Sequence, residues 1–209
     1  KETEDRYNLI HSEIIKMQEK EREKNFNYIN LKRQINEYEG YSEVTKEFFK
    51  KFGTDSNVVD VVANLIKTDE KYEEAVSTIA GARLQNVVIK NSGKAKEYLE
   101  YLKQNTNGKI TFLPMDLLRT RVSLKKSFLN EPGVIDFVLD IVTFDDSYRT
   151  VMEYVFSNAL LVDNLDTAIR ISKMNYNGNI VTLSGELVSG YGAITGGKSK
   201  YDYSSFLLK

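Results

Sequence analysis

The chain has no cysteine and no tryptophan, only two prolines and a single histidine in 209 residues. Without cysteine there is no disulfide, no cysteine zinc site and no cysteine nucleophile, and a reducing compartment is favoured. The histidine, His11, lies in a charged helical stretch, which disfavours Ser-His-Asp chemistry and histidine metal sites. No apolar run approaches the roughly 18 residues of a membrane span, and no signal peptide is visible. We therefore expect no cofactor, no metal and no membrane association.

Apolar content and charge limit the remaining functional classes. Apolar residues make up 41% of the chain and charged residues 28%, which is enough apolar material for one or two folded domains. The formal net charge is −1, with 29 basic and 30 acidic side chains. Any nucleic-acid surface must therefore be a local basic patch, because the molecule as a whole carries almost no net charge.

Residues 1–38 contain neither proline nor glycine and are dense in Glu, Lys and Arg. Apolar residues recur at alternating steps of three and four, which is typical of a coiled-coil seam. The alternative is an amphipathic helix packed on its own domain. We expect a coiled-coil arm over 1–38, with 199–209 beginning an antiparallel returning arm. Eight of the ten seam positions are apolar, with one polar interruption at Glu21 and Lys24: Tyr7, Ile10, Ile14, Met17, Glu21, Lys24, Tyr28, Leu31, Ile35 and Tyr38.

The middle of the chain shows an internal repeat. After a short helix capped by Ser42 and closed by Gly53, the order helix, strand, helix, strand occurs twice. The turn and strand at 107–113 resemble those at 177–183. This pattern predicts a mixed α/β fold of two related subdomains. The first is expected at 39–115, a basic connector at 116–133, and the second subdomain at 134–198.

The segment from Gly192 to Ser199 matches the nucleotide-binding pattern G-x-x-x-x-G-K-[ST]. A functional P-loop needs a buried strand before it and a helix after it. The residues that follow, 200–205, are a poor start for a helix. An apolar run ending in Asp163, which could supply a magnesium ligand, precedes the motif instead of following it. These departures disfavour a P-loop, and a P-loop enzyme is kept as the alternative function.

Three motifs occur in order along the chain: 71–75 leading into 81–88, 110–116, and 181–186 leading into 190–197. Together they make residues 39–198 resemble the hinge domain of SMC (structural maintenance of chromosomes) proteins, of the bacterial SMC and condensin type. One departure is visible, because similar hinges carry glycine in the segment where Asp60 stands.

The resemblance implies a dimerisation hinge that joins two coiled-coil arms in chromosome condensation and segregation. Two chains are expected to form a ring-like homodimer in which the first subdomain of one meets the second of the other. The hinge itself is expected to be non-catalytic, since the ATPase activity of similar proteins resides in separate heads. The location implied is the cytoplasm, at the nucleoid. A coiled-coil adaptor that binds another protein is a further alternative, and homodimer versus heterodimer stays open.

Two sets of residues are candidates for function. Glycines allow strands to approach closely across an interface, although they could equally form a tight internal turn. Basic side chains could contact phosphate, although Lys and Arg are mostly exposed in any protein. The expected dimer interface is Gly190, Gly192, Ile194, Thr195, Gly196 and Gly197; the expected weak DNA surface is Lys198, Lys200, Arg119, Arg121, Lys125 and Lys126.

Overall fold

The computed structural model describes residues 6, 10–22, 24, 41–120 and 122–197. The chain divides into two compact units, Lys1–Tyr41 and Ser42–Lys209. In the first unit residues 10–22 form a helix, α1, whose side chains are exposed. The seam positions Ile10, Ile14 and Met17 are 49%, 47% and 69% exposed. The helix is present over this stretch, whereas the pairing of the arm stays a prediction because most of 1–38 and all of 199–209 lie outside the described residues.

The first half of the second unit is a three-stranded sheet with helices. Strand order is β1-β2-β3, with β1 antiparallel and β3 parallel to β2. The predicted capping of the first helix by Ser42 is confirmed, since its Oγ accepts from the amide of Thr45 at 3.4 Å. The elements are α2 (Glu43–Phe52), β1 (Val58–Val61), α3 (Glu73–Ala80), β2 (Val87–Ile89), α4 (Ala95–Asn105) and β3 (Phe112–Pro114).

The second half repeats this order and then extends it. Its sheet has the order β4-β5-β6-β7-β8, so β7 covers the outer edge of β6 and β8 covers β7. The two-subdomain α/β prediction is thus confirmed, with two short strands added. The elements are β4 (Val134–Phe137), α5 (Val138–Ile141), α6 (Arg149–Phe156), β5 (Leu160–Val162), α7 (Leu165–Lys173), β6 (Ile180–Thr182), β7 (Leu187–Val188) and β8 (Ile194–Thr195).

The repeat begins one strand earlier than the sequence indicated. Strands β1 and β4 each contain a β-bulge before an aspartate, Asp60 and Asp136. Each carboxylate accepts a hydrogen bond from the next backbone amide, at 2.7 Å from Val61 and 2.8 Å from Phe137. The aspartate that departs from the glycine of similar hinges therefore has an exact counterpart in this chain. It is compatible with the fold because the bulge gives its side chain a backbone partner.

The two halves meet about an internal pseudo-two-fold axis. Lys67 and Thr143 occupy equivalent positions in the repeats, and they form an antiparallel bridge with each other. The two N···O distances are 2.8 and 2.7 Å. The equivalent helices α3 and α6 also contact one another. A residue that pairs with its own counterpart indicates two-fold symmetry, so the two halves of the chain are related by a pseudo-two-fold axis.

Each half has its own core. In the first, Phe48 on α2 contacts Tyr98 and Phe112, with ring centroids 5.3 and 5.0 Å apart. In the second, buried aliphatic side chains of β5, β6 and α7 pack together. The segment expected as a connector joins that second core, because Phe128 and its apolar neighbours pack against it. Phe128 lies edge-on to Tyr176 at 5.0 Å.

Candidate dimerisation edges

The β7–β8 hairpin (residues 187–195) carries most of the residues that the sequence singled out for the interface. Positions 190–197 are all exposed in the single chain. Tyr191, in the turn of the hairpin, is 103% exposed, and Ile194 on β8 is 54% exposed. An apolar strand at the end of a sheet with unpaired backbone groups is a ready template for another chain. The structure therefore brings the predicted interface residues together on one open edge.

Several hairpin glycines also have reasons internal to the chain. A Cβ at Gly190 would lie 3.3 Å from the carbonyl oxygen of Gly178, and one at Gly196 would lie 3.4 Å from Cγ of Glu186. Gly192 and Gly197 have φ of +87° and +101°, which non-glycine residues rarely adopt. Tight internal turns thus account for part of the pattern. The turns do not account for the exposure of Tyr191 and Ile194, which no described residue covers.

The hairpin is anchored by a small polar cluster at the β6–β7 turn. The carboxylate of Glu186 accepts hydrogen bonds from the hydroxyls of Thr182 and Ser184, the latter at 2.8 Å. These hydrogen bonds, led by that from Thr182, lower the pKa of Glu186. The ionised carboxylate therefore holds the turn that sets the direction of β7.

A second open edge lies in the first half, at β3. Its counterpart β6 is covered by β7, whereas β3 ends its sheet with nothing beside it among the described residues. Just after β3, Leu117 is 61% exposed. β1 and β4 also end their sheets, but three of the most exposed large apolar side chains in the second unit, Leu117, Tyr191 and Ile194, lie at or just after β3 and β8. The sequence predicted the strand at β3 from the internal repeat, but not that its outer edge is open; Leu117 and Pro114 were the missed signals.

A cleft of about 230 Å³ opens beside the turn of the hairpin. It is lined by Ser157 and Asn158, by the 177–179 turn and by Tyr191. The carbonyl of Asn158 accepts a hydrogen bond from the Tyr176 hydroxyl at 2.9 Å. Burial raises the pKa of Tyr176 to about 12. The lining is polar and carries no charged side chain.

The predicted DNA-binding residues divide between described and undescribed parts of the chain. Lys198, Lys200 and Arg121 lie outside the described residues. Arg119 follows β3 and is exposed, with its guanidinium donating to the carbonyl of Leu118 at 2.9 Å. Lys125 and Lys126 are also exposed, and Lys126 lies near Asp140 of the second half. Arg119 therefore lies beside the first half, whereas Lys126 lies beside the second.

The P-loop geometry is absent from the part of the motif that is described. The amide of Gly192 donates to the Ser189 carbonyl at 2.8 Å, and that of Ala193 donates to Ser189 Oγ at 3.0 Å. Residues 194–195 are an edge strand of an antiparallel hairpin. A phosphate cradle needs free amides at a helix start, and these amides already have partners. Within the described ranges no cluster of His, Asp and Glu is arranged to hold a metal, and no helix is long and apolar enough to span a membrane.

Comparison with known proteins agrees with the geometry. The family described as "SMC proteins Flexible Hinge Domain" matches residues 55–172. The chromosome partition protein Smc of Methanocaldococcus jannaschii is 38% identical over 143 residues, covering 68% of this chain and 12% of that protein. The Smc protein of Halothermothrix orenii is 34% identical over 189 residues, covering 89% and 16%. The chain thus spans less than a fifth of the length of these relatives.

Solved structures show the same fold. The hinge domain of Geobacillus stearothermophilus SMC, described as an asymmetric dimer, superposes with a TM-score of 0.75 at 26% identity. The match covers 91% of this chain and 78% of that one. The Pyrococcus furiosus SMC hinge domain gives a TM-score of 0.63 at 25% identity, covering 80% and 86%.

Proposed function

Because the chain belongs to the SMC hinge-domain family, we propose that it is a non-catalytic module that joins two copies of itself. The observation that carries the proposal is the exposure of apolar side chains beside two strand edges, β8 in the second half and β3 in the first. Tyr191 and Ile194 lie at the β8 hairpin and Leu117 lies just after β3, and a monomer would leave all three in water. In a two-fold symmetric dimer, β8 of each copy pairs with β3 of the other. The contact then forms twice, and both edges of both copies are covered.

In the longer protein, this dimer would link two coiled-coil arms and so hold distant ATPase heads in one assembly. The helical residues 10–22 and their exposed Ile10, Ile14 and Met17 fit the start of such an arm. The relatives' names, chromosome partition protein Smc, support a role in chromosome segregation, in the cytoplasm at the nucleoid. Neither a cofactor nor a nucleotide is needed for this role.

The decisive experiment compares two exposed apolar residues. Ile194→Asp places a carboxylate on the β8 edge, where burying an unpaired charge in a dimer is costly. Met174→Asp is the matched control, since Met174 is 43% exposed and lies at the end of α7. We expect wild type and Met174→Asp to have about twice the 24.0 kDa of one chain in light scattering, and Ile194→Asp about one chain mass.

Circular dichroism must show that Ile194→Asp remains folded. A wild-type chain that stays monomeric at high micromolar concentration would refute self-association. An Ile194→Asp dimer as stable as wild type would place the interface elsewhere.

Weak DNA binding is a second candidate function. Its support is the exposure of Arg119, Lys125 and Lys126, none of which forms an ion pair within the described residues. The charge distribution argues that DNA would avoid the second half: positions 134–197 carry eight acidic and only three basic side chains. Contact is therefore expected at the connector and, outside the described residues, at Arg121, Lys198 and Lys200.

The DNA test is a salt titration of duplex binding by fluorescence anisotropy. Each lost phosphate contact should reduce the slope of log K against log salt by about 0.9. We expect Lys125→Glu with Lys126→Glu, and separately Lys198→Glu with Lys200→Glu, to weaken binding and flatten the slope. Lys173→Glu in the acidic half is the control and should change neither. Wild-type slopes for both double variants would exclude these lysines.

A further inference from the structure

The outer edge of β3 offers few backbone groups. In a parallel ladder alternate residues bond to the neighbouring strand. Val87 donates to the Thr111 carbonyl at 3.0 Å and Met115 donates to the Ile89 carbonyl at 2.9 Å, so Thr111 and Met115 face β2. The backbone groups of positions 110, 112 and 114 then point outward.

Pro114 ends this outward ladder. It has no N–H to donate. Its carbonyl already accepts from the amides of Leu117 at 3.1 Å and Leu118 at 3.0 Å. A strand added to β3 can therefore form reciprocal hydrogen bonds only with Phe112 and Ile110.

The outer edge of β8 follows from the same alternation. In the hairpin Ser189 donates to the Ala193 carbonyl at 2.8 Å, and Val188 lies opposite Ile194. Bonded and non-bonded pairs alternate in antiparallel strands, so Thr195 bonds to β7 and Ile194 turns its backbone outward. Gly196, two residues on, faces outward as well. The amide of Gly192 is not available to a second strand, because it donates to the Ser189 carbonyl inside the turn.

These two patterns fit together in one register. Building on the dimer proposed above, we infer that β3 of a second copy runs antiparallel to β8 with Phe112 opposite Ile194. Ile110 then lies opposite Gly196, giving two reciprocally bonded pairs. Pro114 lies opposite Gly192, where neither residue has a free amide. Pro114 thereby selects the register of the interface.

Slipping the strands by two residues loses bonds in either direction. If Pro114 faced Ile194, both backbone groups of Ile194 would be left without partners. If Phe112 faced Gly192, the Phe112 carbonyl would meet an amide that is already bonded within the turn. Buried backbone groups without partners are strongly disfavoured, so both slipped registers are less stable.

Side chains support the same register and direction. Residues directly opposite in an antiparallel pair project from the same face. Ile194, 54% exposed in the single chain, would pack beside Phe112, whose ring lies 5.0 Å from that of Phe48. The antiparallel direction also brings Leu117 toward Tyr191, so the two most exposed apolar side chains of the open edges lie at the same end of the contact.

Cysteine pairing tests the register directly, because the chain has no cysteine of its own. Thr111 and Thr195 are exposed and would form a non-hydrogen-bonded pair, with Cα atoms about 4.5 Å apart. That spacing suits a disulfide. We expect Thr111→Cys with Thr195→Cys to form a covalent dimer on mild oxidation, seen on a non-reducing gel.

The matched control is Thr111→Cys with Ala193→Cys, which keeps the same face of β8 but tests the slipped register. We expect its yield of covalent dimer to be at least tenfold lower. A dimer by light scattering in which the control crosslinks as well, or the Thr195 variant does not crosslink, would overturn the register and leave self-association intact. A monomer by light scattering would overturn self-association and the register together.

Discussion

At the level of single residues, Ser157 has an unusual backbone. Its φ and ψ are 48° and −137°, close to the 51° and −135° of Gly81, its counterpart in the first half. Glycine adopts this conformation without steric cost, whereas a side chain strains it by about 1–3 kcal/mol. The same turn is therefore relaxed in one half and strained in the other.

Exchanging these two residues should have opposite effects. We expect Ser157→Gly to stabilise the chain by about 1 kcal/mol and Gly81→Ser to destabilise it by about as much. A Cβ at Gly81 would meet no atom within 4 Å, so the effect there is conformational and involves no clash. Urea denaturation measures both free energies of unfolding. Changes of the same sign would contradict strain as the cause.

Asp55 gives a pH-dependent prediction. Lys94 Nζ donates to its carboxylate at 2.6 Å, and this hydrogen bond lowers the pKa of Asp55. A carboxyl whose pKa is depressed by folding stabilises the protein above its unfolded pKa, and the contribution disappears as pH falls through the folded value. We expect Asp55→Asn to be less stable than wild type at pH 7 and equal to it near pH 2. An equal deficit at both values would show that the ion pair is not responsible.

At the level of secondary structure, the helices and strands that the sequence shows twice were predictable, whereas β1, β4, β7 and β8 were not. The helices α4 and α7 each follow an Asn and present apolar residues at helical spacing, and each is the second helix of the predicted repeat. Strands β1 and β4 were missed because each contains an aspartate where a buried strand is expected to be apolar. Strands β7 and β8 are two residues long and leave no periodic signal.

The glycines of 190–197 show the limit of the sequence for the site. Their clustering led to the prediction of an interface, with a tight internal turn as the alternative. It could not show that Gly190 is needed against Gly178, or that Gly196 lies beside Glu186, because those contacts depend on strand order. The opposing edge at β3 was outside the predicted interface, since its openness becomes visible only when β6 is seen to be covered by β7.

The β6–β7 turn provides a test of packing between the halves. Gly185 has φ of +84°, and a Cβ there would lie 2.9 Å from Cγ of Glu74 on α3. Gly192 has nearly the same φ but open space around it. We expect Gly185→Ala to cost about 1 kcal/mol more than Gly192→Ala, because only the former adds a clash to the backbone strain. Equal losses in thermal or urea denaturation would mean that α3 moves aside freely.

At the level of the whole molecule, the two halves should unfold together. They share the Lys67–Thr143 bridge and the contact between α3 and α6. Met152 on α6 is fully buried, and Met152→Ala should cost about 2–5 kcal/mol. Hydrogen exchange should then show reduced protection in β2 of the first half as well as β5 of the second. Loss confined to the second half would show that the halves fold independently.

The repeat explains why the overall architecture was accessible from sequence. Two copies of one element order, each alternating helices with strands, predict two related α/β subdomains. The pseudo-two-fold arrangement of the halves could not be predicted from the sequence, because the bridge between Lys67 and Thr143 lies in segments with no strand signal.

The β3 and β8 edges differ from each other, so the dimer proposed above would contain two separate copies of one contact. When one copy breaks, the other still tethers the chains, and the broken edges face each other at a high effective concentration. Reclosure is then unimolecular and independent of how many molecules are present. Such a dimer can open one of its two contacts and close it again many times before it dissociates. The lifetime of the dimer and the lifetime of each contact are then separate quantities.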